Sequence, residues 1–182
     1  MSTNQPLDVK YAPKTYSEVV AQDDLIADLD RLRERGSLDR RFYWFSGSSG
    51  TGKTSLSNLL AAELSSDGMN VREIDANTLT VSMVDKMARH WQTRPLGGGN
   101  HVLILNEAHG LREKVVTSLL SWYDQISKYG DSVVLIFTTT TQGNVLFEDL
   151  FDAAPLKSRC VPCKLSTRNV LPPMLARLLE IA

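Results

Sequence analysis

The chain has 182 residues, enough for one domain with a full-sized hydrophobic core, and its 42% hydrophobic and 23% charged residues are ordinary for a globular protein. A net charge of -1 excludes a global basic field that would draw it to nucleic acid, and no apolar run approaches the ~18 residues of a membrane span. The opening MSTNQPLDVKYAP lacks the cationic start and apolar stretch of a signal peptide, so a cytoplasmic location is expected.

Residues 1–16 are polar and contain Pro6 and Pro13, which predicts extended chain. A helix is predicted over about 22–35, with Leu25, Ile26, Leu29 and Leu32 on one face and Gly36 at its end. FYWF (42–45) reads as a buried strand, SGSSGTG (46–52) as a loop, and 53–66 as a helix with Leu56, Leu59, Leu60, Glu63 and Leu64 at helical spacing. NVREIDA (70–76) reads as a strand and 82–93 as a helix stopped by Pro95 and three glycines. HVLIL (101–105) is a strand, and 111–129 a long helix burying Leu111, Val115, Leu119, Trp122 and Ile126. SVVLIFT (132–138) is a further strand, followed by a long connection from 139 to about 158, a short strand CVPCKL, and a last helix over roughly 169–181. Alternating strands and helices predict an α/β fold: a five-stranded parallel sheet between helices, with apolar strands buried on both faces.

GSSGTGKT (47–54) matches G-x-x-x-x-G-K-[ST] and lies between a buried strand and an amphipathic helix. Its glycines let the backbone turn its N–H groups toward a phosphate chain, and the following helix adds the positive end of its dipole. Gly47, Ser48, Ser49, Gly50, Thr51, Gly52, Lys53, Thr54 and Ser55 are therefore the expected nucleotide-phosphate-binding residues. Lys53 would reach the β- and γ-phosphates, and Thr54 would ligate Mg²⁺. The motif alone does not choose among kinases, GTPases and ATPases.

LILNE ends a strand at the carboxyl edge of the sheet, where ligands bind in open α/β folds. Glu107 is the candidate to deprotonate or orient a water. Asn106 stands where an acidic side chain usually bonds the magnesium's water shell. Its carbonyl still accepts a hydrogen bond but brings no charge, and bonds to charged groups contribute about 1.5–3 kcal/mol against roughly half that for neutral ones. Weakened magnesium binding is expected. The two cysteines, Cys160 and Cys163, give only two ligands, and His90, His101 and His109 do not complete a zinc set; two reduced thiols near a strand are expected.

KYAPKTYSEVVAQ (10–22), GSSGTGKT, LILNEAH and LKSRC (156–160) occur in this order, and together they resemble the AAA+ clamp-loader ATPases, such as the bacterial DNA polymerase III gamma/tau subunit and the replication factor C small subunits. The resemblance spans about Val9 to Ala182. It implies a P-loop NTPase core over 1–165 and the first helix of a truncated lid over 166–182. Val9, Tyr11, Pro13 and Val20 would line the adenine pocket. Thr139, just past the predicted strand 132–138, would sense the γ-phosphate, with Thr138 and Thr140 as rivals. Arg159 would be an arginine finger acting in trans on ATP held by a neighbouring subunit. The implied partners are other AAA+ subunits, in a homo- or hetero-oligomer, together with a sliding clamp and primed DNA.

The chain departs from the family pattern at Asn106 and at Ala12, where Arg is common, and it lacks the four-cysteine zinc insertion of the gamma/tau subunits. The connection 141–155 is longer than the family loop. Two functions compete at this stage: an ATP-hydrolysing switch in an assembly, and a subunit that holds a nucleotide without hydrolysing it. A P-loop kinase of small molecules would need a mobile basic lid, and 141–182 does not read as one.

Overall fold

The computed structural model describes residues 10–40, 42–66, 68–95, 97–126, 132–150, 154–167 and 175. In chain order the elements are α1 (Asp23–Glu34), β1 (Phe42–Ser46), α2 (Lys53–Leu64), β2 (Val71–Asp75), α3 (Val81–His90), β3 (His101–Asn106), α4 (Glu113–Ile126), β4 (Val133–Thr139), α5 (Thr141–Leu150), α6 (Ala154–Lys157) and β5 (Cys160–Lys164). The five strands form one parallel sheet in the order β2-β3-β4-β1-β5. The α/β architecture expected from the alternating pattern is the observed one.

The central strands carry almost no polar residue because both their faces are covered. β4 is buried from end to end, and β3 is buried up to Asn106. Alternate residues of the same strand feed two separate cores. Tyr43, Phe45, Ile104 and Ile136 face α1 and α2, where they meet Leu29, Leu56 and Leu60. Phe42, Trp44, Leu105 and Phe137 face the opposite way, toward Val84 and Met87 of α3, Leu119 and Trp122 of α4, and Phe147 of α5. The edge strands β2 and β5 are more polar, and β5 tolerates Pro162 because an edge position needs no second ladder bond.

The segment 139–158, expected as an irregular connection, contains α5 and α6. Its apolar residues mislead: Val145 and Leu146 are exposed, whereas Phe147 is fully buried against Trp44, ring centroids 5.0 Å apart. Asn144 adds an acceptor for Trp44 Nε1 at 2.9 Å. Thr139 is the last residue of β4 and does not lie beyond it. The extended chain expected over 1–16 gives way at its last residue to a short 3-10 turn, Tyr16–Glu18. Of the last helix expected over 169–181, only Leu175 is among the described residues, where it is helical and exposed.

Candidate functional site

β1 delivers the chain directly into the phosphate loop. Gly47 packs so closely that an added Cβ would lie 3.0 Å from both Leu165 Cβ and Thr51 Oγ1. Gly52 takes φ +89°, a left-handed conformation that L side chains rarely adopt, and α2 starts at the next residue. No side chain caps α2 and its first turn holds no acidic residue, so its leading N–H groups remain available to an anion. Lys53 is buried, and its Nζ donates to the carbonyls of Gly47 (3.0 Å) and Ser48 (2.8 Å). Burial holds its ammonium below the usual lysine range, and the nearby Glu107 carboxylate offsets part of that. Ser48, Ser49, Gly50 and Thr54 are exposed, and Thr51, Gly52 and Ser55 are half-buried. This cradle fits a nucleotide's phosphates.

β3 ends at the same edge of the sheet. Glu107 follows it with φ +52°, left-handed for a residue with a side chain, and its carbonyl accepts from Gly110 N at 2.8 Å to close a tight turn. Glu107 Oε2 lies 3.3 Å from His109 Nδ1, and the same nitrogen lies 3.3 Å from Thr139 Oγ1. α5 backs this trio: a Cβ on Gly143 would collide with the His109 ring and lie 2.8 Å from Thr139 Oγ1. Thr138 and Thr139 point to opposite faces of the sheet. Thr139 turns to His109, while Thr138 Oγ1 donates to Asn106 Oδ1 at 2.8 Å on the α2 side. Asn106 Nδ2 donates in turn to Glu73 Oε1 of β2.

The structure thus brings together Lys53, Glu107, Asn106, Thr138 and Thr139 at one edge. Arg159 is elsewhere. It immediately precedes β5, whose first residue pairs with Phe42 at the start of β1, so it lies at the opposite edge from the phosphate loop that follows β1. A five-residue strand spans about 13–17 Å, which separates Arg159 from its own chain's loop. Its guanidinium donates to Pro155 O (2.7 Å) and to Asp124 Oδ1 (3.1 Å), and sits over the Tyr123 ring.

Tyr11, Pro13 and Val20 are half-buried in the segment entering α1; Val9 lies outside the described residues. That segment is anchored at two places. Gln22, 3% exposed, exchanges two 3.0 Å hydrogen bonds with the Ser166 backbone. Tyr16 OH donates to Glu63 of α2 at 2.8 Å, and Arg33 of α1 pairs with the same carboxylate.

Cys160 and Cys163 are three apart on β5 and join different cores, so their sulfurs cannot share a ligand. Among the described residues, no group of three or more His, Cys, Asp or Glu is placed to hold a metal. The donors that remain for a magnesium ion are the exposed Thr54 hydroxyl and, through water, Asn106 Oδ1, a set that fits a cation shared with phosphate oxygens. Glu73, His109 and Gly143 were missed by sequence reasoning, since each acts through a neighbour distant in the chain.

Comparison with known proteins gives the site its relatives. The profile of the ATPase family associated with various cellular activities (AAA) matches residues 43–161. The replication factor C small subunit of Archaeoglobus fulgidus is 32% identical over 124 residues, covering 65% of this chain and 38% of that protein. The one from Methanococcus maripaludis is 28% identical over 156 residues, covering 83% and 46%. The chain therefore spans less than half the length of these relatives. Among solved structures, the Thermotoga maritima RuvB Holliday junction branch migration motor superposes with a TM-score of 0.68 at 24% identity, covering 94% of this chain and 54% of that one. A DNA polymerase III gamma subunit-related protein of the same organism superposes at 0.60 with 13% identity, covering 80% and 47%. No described helix is long and apolar enough to cross a membrane. With more than half of its residues matched by the family profile, the chain belongs to the AAA family of ATPases.

Proposed function

We propose that this chain binds and hydrolyses ATP as one subunit of an AAA+ arc of the type that grips a ring-shaped clamp and primed DNA. The observation that carries the reading is the separation of three charges: Lys53 and Glu107 share one sheet edge, while Arg159 occupies the other, where only a neighbour's nucleotide is within its reach. The ATPase core is assigned to residues 1–165, with 166–182 opening a lid.

The chain's own groups divide the work. Val9, Tyr11, Pro13 and Val20 hold the adenine. Residues 47–55 cradle the phosphates, and Lys53 exchanges its two carbonyl partners for phosphate oxygens, which costs little because it is already desolvated. Thr54 and, through water, Asn106 would hold magnesium, which would supply positive charge to the phosphate oxygens. Glu107 takes the proton of the attacking water, held in place by the left-handed turn and by His109. Thr139 senses the γ-phosphate at the end of β4. Arg159 stabilises charge developing on the neighbour's γ-phosphate, an effect of about 10³–10⁵ in other NTPases.

The test is phosphate release from ATP with magnesium across a protein-concentration series, alongside Glu107→Gln and Arg159→Ala. Turnover per subunit should climb with concentration, vanish in Glu107→Gln, and return when Arg159→Ala is mixed with Glu107→Gln. A second reading, a subunit that holds ATP without hydrolysing it, draws on the neutral Asn106, whose amide is engaged on both sides. Wild-type turnover equal to that of Glu107→Gln, with ATP binding intact, would decide for it.

A further inference from the structure

Asn106 can present either an oxygen or an NH₂ group to the cation site, and only the oxygen is of use there, because water on a divalent cation donates its hydrogen bonds. The Glu73 carboxylate settles the orientation, and the Thr138 hydroxyl, which can donate or accept, follows it. Thr138 Oγ1 donates to Asn106 Oδ1 at 2.8 Å, and Glu73 Oε1 accepts from Asn106 Nδ2. An ionised carboxylate has no proton to give, so a flipped amide would set oxygen against oxygen at Glu73. The oxygen-inward state keeps one lone pair for Thr138 and leaves the second for the site.

The sheet register makes this contact possible. Asp75 pairs with Asn106, and Glu73 pairs with Ile104, so Glu73 lies two residues earlier on the same face. That face is the one covered by α2, since Ile104 and Val71 belong to the core beneath it. A Glu side chain is long enough to run along the sheet to Asn106. Glu73 itself is exposed, so its charge stays solvated and imposes no burial cost.

We propose that Glu73 is the positioning residue of the magnesium site, holding the Asn106 amide oxygen-inward and placing on β2 the negative charge that related ATPases carry on β3. The inference rests on the ATP–magnesium reading of the site. It has a consequence opposite to simple restoration: Asn106→Asp alone sets a second carboxylate against Glu73 and does not improve magnesium binding. The conventional arrangement needs both changes, Glu73→Gln with Asn106→Asp.

The experiment measures ATP affinity of the full chain by titration calorimetry, with saturating magnesium and with EDTA. The ratio of the two affinities isolates the cation's contribution. Glu73→Ala should lower that ratio ~10-fold, the usual cost of losing an outer-shell partner, while leaving the EDTA affinity unchanged. Asn106→Asp should also lower it, and Glu73→Gln/Asn106→Asp should bring it back to the wild-type value or above. Thermal unfolding without nucleotide provides the second readout: Asn106→Asp melts below wild type, and the double variant recovers. An unchanged ratio in Glu73→Ala, or a ratio that rises in Asn106→Asp alone, overturns the role of Glu73. Failure of the wild-type chain to bind ATP overturns the reading of the site and the inference with it.

Discussion

Phe147 is the residue whose removal tests the architecture behind the site. It is fully buried, packs on Trp44 with centroids 5.0 Å apart, and anchors α5 among the described side chains, where Val145 and Leu146 face outward. Truncating a buried Phe to Ala costs about 3–5 kcal/mol, the lost transfer energy plus the cavity left behind. α5 has only ten residues and can relax toward the gap, so a loss near the lower end, ~3 kcal/mol, is expected for Phe147→Ala. Against a typical domain stability of ~5–15 kcal/mol that is a large share. Urea unfolding followed by tryptophan fluorescence is the assay, since Trp44 reports directly on the contact. With a urea slope near ~2 kcal/mol/M the midpoint should fall by ~1.5 M. A loss below ~1 kcal/mol would be the range of an ordinary surface change and would mean that α5 is not seated on the sheet. Gly143 would then not be backing His109 and Thr139, and the account of how Glu107 is held would fail with it.

Gly143→Ala should cut ATP turnover ~10-fold or more while leaving ATP affinity unchanged, because its methyl displaces His109 and Thr139 but not the phosphate loop; equal turnover to wild type would refute this. Glu63 is held below the usual carboxylate range, chiefly by its hydrogen bond from Arg33, with burial opposing and the Tyr16 hydroxyl assisting. Its folded pKa lies below the unfolded one, so the stability it contributes is complete above about pH 4.3 and is lost as pH falls through the folded value. Glu63→Gln should therefore flatten the acid limb of a plot of urea midpoint against pH, and superimposable limbs would count against the triad. Burial raises the thiols of Cys160 and Cys163 to about 12, with Cys163 adding to the rise at Cys160 and Asp28 to that at Cys163. Neither should react with an aromatic disulfide reagent near pH 8 until the chain unfolds, so prompt reaction of the native protein would contradict their placement.

The sheet was legible because β1, β3 and β4 are short apolar runs ending in Ser46, Asn106 and Thr139, the polar residues of the ligand edge. The phosphate loop was legible because its spacing is a property of consecutive residues. α5 was not, because Gly143 and the outward Val145 and Leu146 break any amphipathic period. Two of the contacts that seat its helix are with Trp44, about a hundred residues earlier. Glu73 escaped for a similar reason: in VREID it reads as the polar half of an edge strand. Only the pairing of β2 with β3 brings it to Asn106. Thr138 and Thr139 could be named as rivals but not separated, since the choice depends on which face each turns to.

The strand order has a consequence for how the protein is made. β4 sits between β3 and β1 but is synthesised after both. At ~5–20 residues per second, a nascent chain spends a few seconds with β1 and β3 complete and the strand that joins them still inside the ribosome. During that interval two largely apolar strands present open edges, a template for pairing with another chain. The ribosome-bound intermediate, more than the finished fold, is therefore the species that most needs a chaperone. Synonymous codons that slow translation between Asn106 and Val133 should lower soluble yield without altering the stability of the molecules that do fold.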